Sequence, residues 1–161
     1  EKDLLSTLKK LGIGCIAFSP LAQGMLSGKY LKSIPKISRI SDNSSLDKKM
    51  ITESYLIKIK HLTKIAKKRN QSLPQMALSW VLRHKNMTSA LIGARTVEQL
   101  DECLDSQNNL IFSSEELKEM YKNIIKDKYN VLYVIDDRNQ VVNMWRNDLG
   151  LPTLQVADGD F

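Results

Sequence analysis

Cys15-Ile-Ala-Phe-Ser-Pro-Leu-Ala-Gln-Gly-Met-Leu-Ser-Gly-Lys-Tyr30 is the stretch that decides the fold. Cys15, Ile16, Ala17 and Phe18 make an apolar run of the kind that forms a buried strand, and Pro20 ends it because proline has no N–H to give to a ladder. Beyond it the chain must turn. Gly24 and Gly28 let backbone N–H groups approach an anion closely, and Lys29 places a positive charge at the end of the loop. The same residues would also serve an ordinary strand-to-loop corner.

Working outward, Leu4, Leu5 and Leu8 mark a helix that runs into a strand at about 13–18; residue 1 is Glu, so the chain reads as starting within a domain. After a loop over 19–45, an amphipathic helix is expected near 48–69. Leu56, Ile59, Leu62, Ile65 and Ala66 form one face, and Lys58, Lys60, Lys64, Lys67, Lys68 and Arg69 form a solvated one. Asn70 closes that helix. Ser72-Leu-Pro-Gln75 is a capping box with proline in the first turn, opening a helix that is apolar on most sides and so expected to be buried. Ser89-Ala-Leu-Ile-Gly-Ala94 reads as a second strand, and Thr96-Val-Glu-Gln99 as the capping box of a helix carrying Leu100, Cys103 and Leu104 on one face. Ser113-Ser-Glu-Glu116 is a further box, with Phe112 and Leu117 as its hydrophobic staple.

From Tyr129 the pattern changes. Val131–Ile135 reads as a buried strand followed by Asp136 and Asp137; Val142, Trp145 and Leu149 mark a helix face, and Thr153–Ala157 a last strand. Strands alternating with helices predict right-handed crossovers, a parallel sheet and an α/β class. The expected division is 1–128 and 129–161.

The composition, 42% hydrophobic and 26% charged over 161 residues, is that of a soluble domain with a real core. No apolar run approaches the roughly 18 residues of a membrane span and no leader pattern opens the chain, so a cytoplasmic location is expected. Cys15 and Cys103 have no metal-ligand spacing around them and read as free thiols. Residues 1–128 hold 22 basic against 13 acidic groups, whereas 129–161 hold 2 against 5. A basic excess favours an anionic ligand.

In parallel α/β folds ligands gather beyond the C-terminal ends of strands, and three such ends occur here. The first is Ser19 to Lys29. The second is Gly93-Ala-Arg95 ahead of the helix opened by Thr96, where a helix N-terminus and an arginine can both meet a phosphate. Two anion sites suggest one dinucleotide. The third is Asp136-Asp137, a pair suited to magnesium or to capping a helix. His61 and His84 have no paired carboxylate or serine at useful spacing and read as structural.

These residues resemble a known family. Gly14 to Tyr30, Ile34-Pro35, Arg39, Gln75-Met-Ala-Leu-Ser-Trp80 and Leu91-Ile-Gly-Ala-Arg-Thr-Val-Glu-Gln-Leu100 look like the C-terminal half of an aldo-keto reductase, over residues 1–127. The branch is the one containing L-glyceraldehyde 3-phosphate reductase and the potassium-channel beta subunits. The resemblance implies a (β/α)8 TIM barrel, with the two strands as its seventh and eighth, an NADP(H) cofactor and a small carbonyl substrate. It implies that Ser19, Pro20, Leu21, Ala22, Gln23 and Gly24 line the cofactor diphosphate with Lys29 and Arg39 closing over it. Gly93, Arg95, Gln99 and Glu102 would hold the adenosine 2′-phosphate end. Cys103 stands where the family often has asparagine. The family's Asp, Tyr, Lys and His tetrad has no counterpart in this chain, so no catalytic residue is assigned and the chain alone is expected to be inactive.

The tail, Tyr129 to Arg146 and Gln155 to Phe161, resembles the C-terminus of phage-type polynucleotide kinase 3′-phosphatases, of the haloacid-dehalogenase fold. That implies a short β-α-β tail in which Asp136 and Asp137 help hold Mg2+, and a nucleic-acid partner only through this segment. Two alternatives to the reductase follow: a magnesium-dependent 3′-phosphatase fragment, or a non-catalytic fusion of two gene ends. Uncovered strand edges in a partial barrel would favour a homo-oligomer.

Overall fold

In the computed structural model β1 (Ile16–Phe18) and β2 (Ser89–Leu91) pair in parallel, with Ile16 opposite Ser89, Ala17 opposite Ala90 and Phe18 opposite Leu91. The structure describes residues 2–36, 38, 40, 46–126, 131–132, 134–136 and 139–155; the side chains of residues 2, 3, 135 and 136 lie outside that description. The chain forms two compact units, 1–111 and 112–161. The division expected at 128/129 falls within the second, among residues outside the described set.

In the first unit α1 (Lys2–Lys10) precedes β1, and α2 (Glu53–Lys68) and α3 (Leu73–Leu82) lie between the paired strands. α4 (Val97–Leu104) follows β2. The parallel pairing agrees with the alternation of strands and helices in the sequence. The helix expected over 48–69 is split: Lys48–Met50 forms a 3-10 turn, and α2 opens only where the Thr52 side chain accepts from the Tyr55 N–H. Asn70 stops α2 in the left-handed region at φ 55°, as its position suggested. α3 carries both halves of its capping box and buries Leu73, Pro74, Met76, Leu78 and Ser79; it packs against α2, α4, β2 and the loop after β1.

Two expectations need correction. The strands are three residues each, and their apolar side chains are not buried: Phe18 is 84% exposed, Ile16 67% and Leu91 56%. Side chains alternate across a strand, so these three share one face while the half-buried Ala17 and Ala90 share the other. A two-stranded sheet with α3 packed on it encloses one face only. Arg69, expected on the solvated face of α2, is 6% exposed. The turn at Asn70 brings it inward, where Nε donates to Gln71 Oε1 at 2.8 Å, Nη1 to the Ile111 carbonyl at 2.8 Å and Nη2 to the Asn109 carbonyl at 2.9 Å. Gln71 Nε2 donates onward to Ser79 Oγ (2.9 Å), whose hydroxyl donates to the Ser106 carbonyl (2.7 Å).

The second unit holds α5 (Ser114–Met120), prolonged by a π-helical turn at Tyr121–Ile125, then β3 (Val134–Asp136), α6 (Asn139–Asn143) with a π-helical turn at Met144–Asp148, and β4 (Thr153–Gln155). β3 and β4 pair in parallel, so this segment is a β-α-β unit with strands shorter than expected. Ser113 and Glu116 make their capping box in full. Val142 is buried as expected, but Val141 and Met144 share the core with it while Trp145 is half-buried, because the π turn changes the angular step of the helix. Trp145 meets Tyr121 edge to face, centroids 5.7 Å apart, and Lys118 pairs with Asp148.

Candidate functional site

Parallel pairing in register, Phe18 opposite Leu91, sends the chain out of both strands at the same end of the sheet. The loop beginning at Ser19 and the segment Ile92–Thr96 therefore start side by side, and the two anion sites read from the sequence belong to one edge.

The loop after β1 is built on backbone conformations that side chains disfavour. Ser19, Ala22 and Gln23 have φ of 54°, 48° and 58°, and Gly24 and Gly28 have φ of 90° and 71°. Only the glycines were legible from sequence. Local bonds hold the turns: the Ala22 N–H donates to the Ser19 carbonyl at 2.9 Å, Gly24 N–H to the Leu21 carbonyl at 2.9 Å, and Ser27 Oγ to the Gly24 carbonyl at 2.6 Å. Pro20, Leu21 and Gln23 are half-buried, Ala22 and Lys29 exposed. Lys29 folds back over the loop: its Nζ lies 4.9 Å from the Tyr30 ring centre and 2.8 Å from where a Cβ on Gly24 would sit. Arg39 lies outside the described residues.

At the second strand end Gly93 is exposed, and a Cβ built on it meets nothing within 4 Å, so the backbone is open to a ligand. Thr96 caps α4 by accepting from the Gln99 N–H at 3.3 Å. The reciprocal half of the expected capping box is displaced by one residue, because Gln99 Oε1 accepts from the Arg95 N–H (3.0 Å) and so fixes the Gly93-Ala-Arg95 segment against the helix. Arg95 and Gln99 are exposed and Glu102 half-buried. Bonding with the Thr96 side chain, then with its own backbone N–H, holds the Glu98 carboxyl below the usual carboxylate range, which keeps an anion in the first turn of α4. Burial, and secondly Glu102, pushes the Cys103 thiol up; it is a buried neutral thiol.

Asp136 ends β3 with its side chain outside the described residues, and Asp137 lies outside them entirely. Among the described residues no three His, Cys, Asp or Glu side chains gather in a way that could hold a metal ion, and no helix is long and apolar enough to cross a membrane. His61 and His84 are half-buried. Missed from the sequence was Tyr55, whose hydroxyl reaches the Met25 carbonyl inside the loop; an aromatic in the first turn of an amphipathic helix gives no sign of a partner 30 residues away.

The model of the aldo/keto reductase family matches residues 1–125. L-glyceraldehyde 3-phosphate reductase from Escherichia coli O157:H7 and the protein of the same name from Escherichia coli strain K12 are each 45% identical over 142 residues, which is 86% of this chain and 41% of the relative. The chain thus spans about two fifths of the length of these relatives. Neither finding supports the resemblance of 129–161 to polynucleotide kinase 3′-phosphatases, nor Mg2+ at Asp136 and Asp137. With a family match running from residue 1 to residue 125 of 161, the chain belongs to the aldo/keto reductase family.

Proposed function

We propose that the loops after β1 and β2 form the seat of NADP(H), and that the chain carries the cofactor side of an aldo-keto reductase acting on an aldehyde or ketone. The observation that carries this reading is the shared strand end, which starts a left-handed, lysine-covered loop and an arginine-bearing helix start beside each other. The donors suit an anionic dinucleotide. The Lys29 ammonium would take the diphosphate, with Ser19, Pro20, Leu21, Ala22, Gln23 and Gly24 lining it; Arg39 would close over it. Gly93 would admit the adenosine end, Arg95 would pair with the 2′-phosphate, and Gln99 and Glu102 would orient that end. Bound NADPH supplies the hydride that a carbonyl carbon accepts. The Asp, Tyr, Lys and His tetrad that hands over the proton would lie on barrel strands outside these residues, with β1 and β2 as the seventh and eighth. The relatives' name makes L-glyceraldehyde 3-phosphate the first aldehyde to try, and the free thiols suit the cytoplasm.

Titration of the chain with NADPH, followed by quenching of protein fluorescence, is expected to saturate, and Arg95→Ala to cut the preference for NADPH over NADH about tenfold, the worth of one charge-assisted contact. No saturation, or equal binding of NADPH and NADH by the unaltered chain, overturns the seat. NADPH oxidation with L-glyceraldehyde 3-phosphate is expected to stay at the buffer rate; steady turnover would overturn the placing of the tetrad outside the chain.

A further inference from the structure

The loop over Ser19 to Lys29 holds non-glycine residues in left-handed conformations at Ser19, Ala22 and Gln23. Each such residue carries a conformational cost, and it persists only where surrounding structure over-determines it. The hydrogen bonds among Ser19, Leu21, Ala22, Gly24 and Ser27 are internal to the loop, so they can move with it. From α2, the Tyr55 hydroxyl donates to the Met25 carbonyl at 2.7 Å, in the middle of the loop. The Tyr55 ring is itself fixed, packed with Met25 and Ile51 against the buried cluster of Tyr30, Ile40 and Leu46. Burial, and secondly the neighbouring Tyr30, raises the Tyr55 pKa, so the hydroxyl is a donor throughout the neutral range.

We propose that Tyr55 is a positioning residue: its hydroxyl pins the Met25 carbonyl to α2 and thereby holds the loop in the shape that receives the diphosphate. Only the ligand named here rests on the function proposed above; the pin itself is a property of the unliganded chain. Tyr55 touches no cofactor atom in this scheme. It acts through the loop, and it separates the two anion sites functionally, because the Gly93 to Glu102 segment has its own fixing bond from Gln99 to the Arg95 N–H.

Tyr55→Phe keeps the ring and removes the bond. Amide hydrogen exchange over residues 22–31, measured without ligand, is expected to speed up about fivefold, the population shift that one hydrogen bond is worth, while exchange in α3 stays unchanged. NADPH affinity is expected to fall about fivefold, whereas affinity for adenosine 2′-monophosphate, which carries neither phosphate of the diphosphate bridge, stays as it was. Ile51→Ala loosens the same cluster but keeps the hydroxyl, and is expected to leave the ratio of the two affinities unaltered. Unchanged exchange over 22–31, equal acceleration in α3, or an equal loss of both affinities overturns the pin. If the unaltered chain binds neither ligand, the function proposed above fails, and the exchange measurement still decides the role of Tyr55.

Discussion

Arg69→Met is expected to destabilise the 1–111 unit by about 3 kcal/mol, roughly two powers of ten in its folding equilibrium. The guanidinium is buried, and its donors satisfy the Ile111 carbonyl, the Asn109 carbonyl and Gln71 Oε1. Methionine fills much of the same volume and spares the cost of burying a charge, but it leaves the buried Gln71 Oε1 without that donor, at about 1–3 kcal/mol, and gives up the bonds to the partly exposed Asn109 and Ile111 carbonyls. The relief from removing the charge offsets part of that sum. Arg69→Lys should fall between, because one ammonium cannot reproduce the planar fork that reaches two carbonyls and an amide at once. Urea unfolding checks it: Trp80 lies in the first unit and Trp145 in the second, so a Trp145→Phe background lets Trp80 fluorescence report on the first unit alone. An unchanged midpoint would remove Arg69 from the list of residues that hold the unit together.

Arg69 also shows where reading from sequence stops. Its neighbours Lys67 and Lys68 are exposed, and helical periodicity gives no reason to separate it from them. What separates it is the left-handed turn at Asn70 and the approach of 109–111, a contact about 40 residues distant in sequence. Local signals were legible because their physics is local. The boxes at Ser72 and Ser113 formed as written, and Asn70 ended α2. The Thr96 box formed by halves, since Gln99 found a donor one residue earlier. Strand existence was legible from apolar runs, but strand burial was not, because burial is decided by what packs on each face. Phe18 and Ile16 have the composition of core residues and lie exposed on the two-stranded sheet. Of the candidate site, the glycines, Lys29 and Arg95 stood out by residue type. The left-handed Ala22 and Gln23 and the reach of Tyr55 did not, since alanine and glutamine carry no preference for positive φ and a single tyrosine names no partner.

Gly24→Val is expected to cost the chain about thirtyfold in NADPH affinity while leaving its helix content intact. Gly24 has φ 90°, a conformation that a β-branched residue avoids at a cost of about 1–3 kcal/mol. The added Cβ would also fall 2.8 Å from Lys29 Nζ and 3.1 Å from its Cε. The lysine tail is flexible and can move aside, but only by leaving its place over the loop. Both effects act on the same equilibrium: the variant loop relaxes out of its receptive shape, and apparent affinity falls in proportion to the fraction that remains competent. A strain of about 2 kcal/mol leaves a few per cent competent, hence the thirtyfold figure. Gly93→Ala is the control with the opposite logic. Nothing lies within 4 Å of its added Cβ, so the free chain is undisturbed and any loss of affinity comes from contact with the ligand itself. Fluorescence titration gives both affinities, circular dichroism the helix content, and hydrogen exchange over 22–31 without ligand separates the cases. Exchange should quicken in Gly24→Val and stay unchanged in Gly93→Ala. If Gly24→Val bound NADPH as tightly as the unaltered chain, the left-handed loop would not be the part of the fold that receives the diphosphate.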